Sequence, residues 1–482
     1  MNIENTEDFY PLSPLQEGLL FHTLYSPEGG VYISQISCAM PGDLNVAAFE
    51  QAWQRVVERH AALRTFFIWE NLKKPVQVVQ KRVPLEWEHL DWRVRVREEQ
   101  REQLQAYLAR ERTKGFQLSK APLMRLTLIR MSDEEYQFVW THHHILLDGW
   151  SGALVSREVI AFYEALSQGK ELRLPHPRPY RDYIAWLQRQ DLAQAESYWR
   201  AALKGFQTPT PLVTNNRATN GVDVREGVYV GRQVKLSAEA TAGLQAAARK
   251  QGLTLNTLIQ GVWGLLLSLY SGQQDVLFGA TVSGRPPELQ GIEEMVGVFI
   301  NTLPVRVRVR PELSVAEWLQ QLQAEQLEAR QYEHSPLAQV QSWSEVGRGR
   351  SLFESLMVFE NYPVKMSAPS SQPDGGLGAW DISYLIRESY PMTLVAEPGA
   401  QLLLEIKYDN SMFDAGAIAR ISEHLELLFR NILTQRNVWH SALQEILDRT
   451  HTEQRLNDET RLREVRFQKL KQVKRKTVAK SV

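Results

Sequence analysis

Cysteine is almost absent: Cys38 is the only one in 482 residues, so no internal disulfide framework can staple this chain and its fold must rest on packed cores. Net charge is nearly absent too, because 55 basic residues face 56 acidic ones. That balance removes the broad positive field on which nucleic-acid or anionic-membrane binding draws. No apolar run approaches the ~20 residues of a membrane helix; the longest, "VWGLLLSLY" at 262–270, has the length of a core segment. The opening "MNIENTEDFY" has neither the basic start nor the apolar stretch of a secretory signal. A short-period repeat is missing as well, which excludes a solenoid. Together these absences predict a cytoplasmic protein with no nucleic-acid partner and no membrane partner.

What is present is length and patterning. At 482 residues the chain exceeds the ~250–300 residues at which single cores stop growing, so two domains are expected. "NVAAFEQAWQRVVERHAALRT" places Phe49, Trp53, Val56, His60 and Leu63 at steps of four and three, one face of a helix capped by Asn45 and packed on a sheet. "LMRLTLIRMSDEEYQFVWTHHH" gives two β-rich runs around the polar turn 132–135, a hairpin whose second strand ends at the histidines. Helical spacing resumes at Val155, Val159, Phe162 and Leu166, so Asp148-Gly149 links strand to helix. The prolines at 175, 177 and 179 cannot continue a helix and mark an extended connection between domains. Beyond them, "LTLNTLIQGVWGLLLSLYSG" reads as a buried helix ended by Gly272, while "DVLFGATVSG" and "INTLPVRVRVR" read as strands, the latter alternating at Val305, Val307 and Val309. "APSSQPDGGLG" at 368–378 has the composition of a loop. The segment 465–482 carries seven basic residues and no acidic one, a solvated linker or docking tail.

"THHHILLDGWS" at 141–151 concentrates the candidate chemistry. Adjacent strand residues point to opposite faces, so His142, His143 and His144 cannot converge on one ion, and no HExxH or cysteine-rich set stands elsewhere. On a strand, His142 and His144 share a face and His143 takes the other. The aspartate four residues beyond His144 could orient an imidazole or pair with a distant arginine and lock the loop.

Here the chain resembles a known family. "HHILLDG", His143 to Gly149, is similar to the HHxxxDG signature of condensation domains of nonribosomal peptide synthetases. Six further segments resemble that family's motifs in order: "YPLSPLQEGLLFH" (10–22), "RHAALRTFF" (59–67), "YRDYIAW" (180–186), "VGVFINTLPVR" (296–306), "HSPLAQV" (334–340) and "GRGRSLFESLMVFEN" (347–361). The likeness runs over residues 8 to 435 and leaves the basic tail outside.

The resemblance implies an α/β fold of two chloramphenicol-acetyltransferase-like lobes in a V around a tunnel, residues 1–178 and 179–448, followed by a linker or tail at 449–482. It implies a monomer that joins a donor aminoacyl or peptidyl thioester to the α-amine of an acceptor aminoacyl thioester. Each would ride on the phosphopantetheine arm of a carrier protein, so the chain needs no cofactor and no metal of its own; donor and acceptor carriers and neighbouring synthetase domains are its partners. An attacking amine must shed a proton, which suits a group titrating near neutrality. His144 is therefore the candidate general base or positioning group. By resemblance Asp148 faces away from the tunnel and pairs with Arg64, Gly149 serves a tight turn, and His143 supports the loop. Ser283 in "TVSGRP" and Asn301 in "INTLP" are candidates to line the tunnel or to make ordinary strand-end hydrogen bonds. Tyr180 and Asp182 read as structure between the lobes, and Trp53, Trp186 and Trp263 as core.

The subtype joining two L-configured residues fits the first and third motifs. Epimerization domains would carry a glutamate motif that is missing here, and heterocyclization domains replace the double histidine. The alternatives carried forward are a recruitment domain that docks a tailoring enzyme onto carrier-bound amino acids, and a free-standing acyltransferase using coenzyme A.

Overall fold

The computed structural model describes residues 3–25, 32–212, 229–347, 349–361, 383–385 and 390–432. The loop expected at 368–378 and the tail expected at 449–482 lie outside the described residues. Seven strands precede the proline-rich stretch: β1 (Thr6–Pro11), β2 (Ile33–Pro41), β3 (Thr65–Ile68), β4 (Val76–Gln80), β5 (Trp87–Asp91), β6 (Met124–Arg130) and β7 (Glu135–His143). Seven follow it: β8 (Tyr229–Lys235), β9 (Asp275–Val282), β10 (Asn301–Arg308), β11 (Ser355–Phe359), β12 (Ser383–Leu385), β13 (Met392–Glu397) and β14 (Leu403–Asp409).

They form three sheets with strand orders β1-β4-β3, β12-β2-β7-β6-β5 and β10-β9-β11-β13-β14-β8. The expected hairpin is there: β6 pairs antiparallel with β7, Met124 opposite His142. Strand β12 comes from the second half of the chain yet completes the sheet of the first, antiparallel to β2. Without it β2 would be an open edge, with a row of backbone groups unpaired.

Helix Val46–Arg59 begins where the Asn45 side chain accepts the Ala48 N–H at 3.1 Å, a cap worth about 1 kcal/mol. It buries Phe49, Trp53 and Val56 against β7, with Trp53 and Trp140 ring centroids 4.8 Å apart. The helix is shorter than the spacing suggested. His60 leaves it with an extended backbone, Leu63 sits in the 3-10 turn Ala61–Arg64, and His60 Nε2 meets Glu158 Oε2 at 2.7 Å. That contact ties this helix to its neighbour, Gly149–Ser167.

The six-stranded sheet carries a second core under helices Leu255–Ser271, Val315–Ala329 and Ala415–Asn431. Helix Leu255–Ser271 is capped by Thr254 and stops at Gly272, whose φ of 68° suits a residue without a side chain. In β10 Val307 is buried and Val305 is partly buried against the same core.

A separate apolar cluster joins the two sheet systems. Helix Tyr180–Leu187, which the prolines lead into, packs Tyr180, Tyr183 and Ile184 with Tyr10 and Val79 from the small sheet and with Ile292, Met295 and Phe299 from the segment before β10. The Tyr183 hydroxyl donates to Phe299 O at 3.2 Å, and the Tyr180 hydroxyl to Val298 O at 2.5 Å. Arg178 bonds Asp182 at 2.8 Å and also reaches Gln290 O. Close approach here depends on two glycines. At Gly297 a Cβ would run into the Tyr180 ring, and at Gly284, with φ of +59°, it would overlap Phe299 O.

Candidate active site

Strand β7 ends at His143, so the three histidines fall into three different environments. His142 faces the helix side of the sheet, its ring centroid 4.6 Å from that of Trp140. His143 faces the other way and is fully buried. Its Nε2 lies 3.1 Å from Thr23 Oγ1, and its Nδ1 accepts the Ile145 N–H at 3.1 Å. Since the Thr23 hydroxyl donates to Leu19 O at 2.8 Å, the His143 proton belongs on Nε2. Burial, reinforced by the neighbouring imidazoles, lowers the pKa of His142 and of His143 to about 3, so both are neutral at physiological pH.

His144 lies one residue past the strand and only partly buried. Its backbone N–H still donates to Tyr32 O at 2.8 Å, which carries the ladder one step beyond the paired strand. Its Nδ1 is 2.6 Å from Leu147 O. A carbonyl can only accept, so Nδ1 holds the proton and Nε2 keeps the lone pair. The fold thus fixes the tautomer and leaves Nε2 without a hydrogen-bond partner among the described residues.

Asp148 is 2% exposed. Its Oδ1 caps helix Gly149–Ser167 by accepting the Ser151 N–H at 2.8 Å, and its Oδ2 accepts the Phe299 N–H at 2.9 Å. The expected pairing with Arg64 is not made. The cation beside Asp148 is Arg285, with Nη2 3.5 Å from Oδ1 and 3.0 Å from Ser151 Oγ. Arg285 Nη1 donates to Met295 O at 3.1 Å and to Ile292 O, and the guanidinium lies 3.9 Å above the Phe299 ring centroid. Burial pulls the Arg285 pKa down, and Asp148 acts against that pull. The Ser151 hydroxyl donates to Gly297 O at 2.8 Å and accepts the Gly297 N–H at 3.1 Å. Arg64 is turned elsewhere by its place in the 3-10 turn: Nε donates to Val57 O at 3.1 Å, and Nη1 bonds Glu7 at 2.5 Å and the carbonyl of Gln80.

Gly149 also differs from expectation. It opens the helix and is not among the residues of positive φ, so no left-handed turn requires it; it forms cavity wall instead. That cavity, about 2420 Å³, is bounded by His144, Asp148, Gly149 and Trp150 from the first half and by Ser283, Arg285 and Asn301 from the second. It is several times the size of a small-ligand pocket. Ser283 is exposed on its wall. Asn301 borders the cavity, but its side chain is occupied: Nδ2 donates to Glu333 O at 2.9 Å and Ser335 O at 2.7 Å, and Oδ1 accepts the Thr302 N–H. Among the described residues no group of three or more His, Cys, Asp or Glu side chains is placed to hold a metal ion.

The structure therefore brings His144, Asp148, Gly149, Ser283 and Asn301 to one cavity and leaves Arg64 outside it. Sequence reasoning missed Arg285, Ser151 and Thr23. Arg285 stands two residues beyond Ser283 in "TVSGRP", but no local signal ties it to Asp148.

A model of the Condensation domain family matches residues 6–454. Two of the linear gramicidin synthase polypeptides of Brevibacillus parabrevis are similar to this chain. One is 48% identical over 428 residues, covering 88% of this chain and 8% of the relative. The other is 46% identical over 426 residues, 88% of this chain and 5% of its own length. Bacitracin synthase 3 of Bacillus licheniformis is 38% identical over 420 residues, 87% and 6%. The chain spans less than a tenth of each of these relatives. Among solved structures, the starter condensation domain of rhizomide synthetase in complex with C8-CoA and Leu-SNAC superposes with a TM-score of 0.74 at 18% identity, over 89% of this chain and 95% of that one. The X-domain from teicoplanin biosynthesis superposes at 0.73 and 21%, again over 89% and 95%. These two likenesses describe the fold.

Proposed function

The chain belongs to the condensation-domain family of nonribosomal peptide synthetases, acyltransferases that form amide bonds, and from that premise we propose that it joins two carrier-bound acyl groups in its central cavity with His144 at the reacting centre. The donor enters as an aminoacyl or peptidyl thioester, the acceptor as an aminoacyl thioester, each on a phosphopantetheine arm brought by a carrier protein. Two lobes, 1–178 and 179–448, with the tail 449–482 beyond them, are the division we propose, and the cavity lies between them. The donor is L-configured in this proposal, as is the acceptor.

In the reaction the acceptor's nitrogen attacks the donor's carbonyl carbon. The C–N bond forms, the C–S bond breaks, the amine gives up one proton, and the departing thiolate takes one. His144 Nε2 accepts a hydrogen bond from the amine and orients its lone pair; as general base it would carry the proton across to sulfur. The single observation that supports this role most is the Nδ1 contact to Leu147 O at 2.6 Å, which in the neutral ring places the proton on Nδ1 and the lone pair on Nε2. Asp148 and Arg285 take a structural part: they hold the loop against the segment 284–299 and do not touch the reactants.

The reading is tested by intact-mass spectrometry of donor and acceptor carriers, each loaded with a labelled aminoacyl group. Transfer of the donor mass onto the acceptor is the expected result, greater for an L than for a D donor. Transfer from soluble acyl-CoA with no carrier would favour the free-standing acyltransferase; tight carrier binding with no transfer at all would favour the recruitment domain.

A further inference from the structure

The cavity wall contains a carboxylate that the reaction as described does not use. Glu333 lies on the wall beside Ser283 and Asn301. Asp148 and Arg285, which also line the cavity, face each other, whereas the cation nearest Glu333 is Arg330 at 3.9 Å, on an exposed side chain. The backbone beneath Glu333 is held firmly: Asn301 Nδ2 bridges the carbonyls of Glu333 and Ser335, and Ser335 Oγ accepts the Trp199 Nε1–H at 2.9 Å while donating to Tyr332 O at 2.7 Å. The Gly284 backbone amide favours the charged form of the Glu333 carboxylate. Gly284 is the residue before Arg285, so this negative charge is built onto the same loop that reaches Asp148 and, four residues from it, His144. A charge fixed on rigid backbone suits recognition of a cation entering the cavity.

The conjugate acid of the nucleophile in the proposed reaction is such a cation; it gives up its extra proton to solvent before the neutral amine attacks. An α-amine has an ordinary pKa of about 7.7–8.0, so much of the acceptor arrives as ammonium. We infer that Glu333 is the positioning residue that receives the acceptor's α-ammonium and presents it to the reacting centre. This rests on the condensation reading given above. Burial pushes the Glu333 carboxyl above its usual range, with Arg330 and the Gly284 amide pulling the other way, and an arriving ammonium relieves that cost. The other groups around it are Tyr183, which senses the Glu333 charge across the Gly284 loop, Arg285 on that loop, and His334 next in the chain. Besides Asp148, three other carboxylates line the cavity: Glu17, which has Lys74 nearby to offset it, Glu354 and Glu360.

Glu333→Gln tests the charge alone, because glutamine keeps the size of the side chain and an oxygen that can accept hydrogen bonds. The probes are an acceptor carrier loaded with an L-aminoacyl group and the same carrier loaded with its α-hydroxyacyl analogue, which has no ammonium. At pH 6.5 the variant should raise the KM for the aminoacyl acceptor about tenfold, the size of one charge-assisted hydrogen bond, with little change in kcat. By pH 9, where the amine is neutral, the rise should shrink to about twofold or less. Inhibition by the hydroxyacyl carrier should match wild type at both pH values. An equal loss for both carriers, or a KM rise that does not change with pH, overturns the inference and leaves Glu333 as a loop support. If wild type transfers no acyl group between any carriers, the condensation reading fails instead. Glu333 is then judged by binding titration of the two loaded carriers, where equal affinities at pH 6.5 would overturn it separately.

Discussion

The chain builds one local device twice, and the two copies have different contents. In the first half β7 ends at His143, four residues follow, and Asp148 caps helix Gly149–Ser167 through the Ser151 N–H. In the second half β14 ends at Asp409, four residues follow, and Asp414 caps helix Ala415–Asn431 through the Ala417 N–H at 2.7 Å. Counting from the strand ends, Asn410 stands where His144 does and Asp409 where His143 does. Asp409 Oδ1 accepts the Ser411 N–H at 2.8 Å, an exposed turn. Asp414 is exposed, while Asp148 is buried and also holds Phe299 and Arg285. The comparison separates two functions of one residue type: capping a helix needs only the aspartate oxygen, whereas locking the loop that carries His144 to another part of the chain needs a buried aspartate with a distant cation.

The largest expected effect breaks this contrast directly. Asp148→Ala should cost about 3–5 kcal/mol, because it strands the buried Arg285 charge and the Phe299 N–H as well as removing a cap. Asp414→Ala should cost about 1 kcal/mol, the worth of a cap. Urea melts of both variants decide it; equal losses would mean that Asp148 is only a cap. Next comes the cation. Arg285→Ala should destabilise by about 3 kcal/mol and reduce acyl transfer, since Asp148 then sits buried without its partner. Arg64→Ala should cost less, about 1–2 kcal/mol, because Glu7 is half exposed and can be solvated. A larger loss at Arg64 would shift the weight of the account to the small sheet.

A smaller effect is carried by the buried imidazoles, which β14 lacks. His142 and His143 have folded-state pKa values lowered to about 3, against about 6.5 when unfolded. Between those values the unfolded chain binds more protons, so stability rises with pH across the window and is lost as pH falls from about 6.5 toward 3. His143→Gln should flatten that slope between pH 7 and pH 5, read as urea midpoints at each pH. An unchanged slope would place the acid sensitivity elsewhere.

Much of this device was legible in the sequence, for a physical reason. Hairpin β6–β7, the Asn45 cap, the Gly272 stop and the strand-to-helix link at Asp148 are all set by contacts within a few residues, which spacing and turn chemistry report. Arg285 was not legible because it meets Asp148 across 137 residues, and no local pattern says which arginine arrives; resemblance pointed to Arg64 instead. The role of Gly149 was misjudged on the assumption that a glycine after aspartate marks a turn, when the helix had already begun. The insertion of β12 beside β2 could not be read either, since an edge strand does not announce its neighbour. The double-histidine motif points to His144, which lines the cavity, but its tautomer depends on Leu147 O, a backbone atom that side-chain patterns do not reveal.

The most direct test of the central claim is the rate of acyl transfer between loaded carriers by His144→Ala, measured by intact mass beside a urea melt. A fall of about 10²–10⁴-fold with a near-unchanged melt is the predicted result. Transfer at the wild-type rate would contradict the account, because the imidazole whose Nε2 the fold leaves free beside Asp148 would then have no part in the reaction.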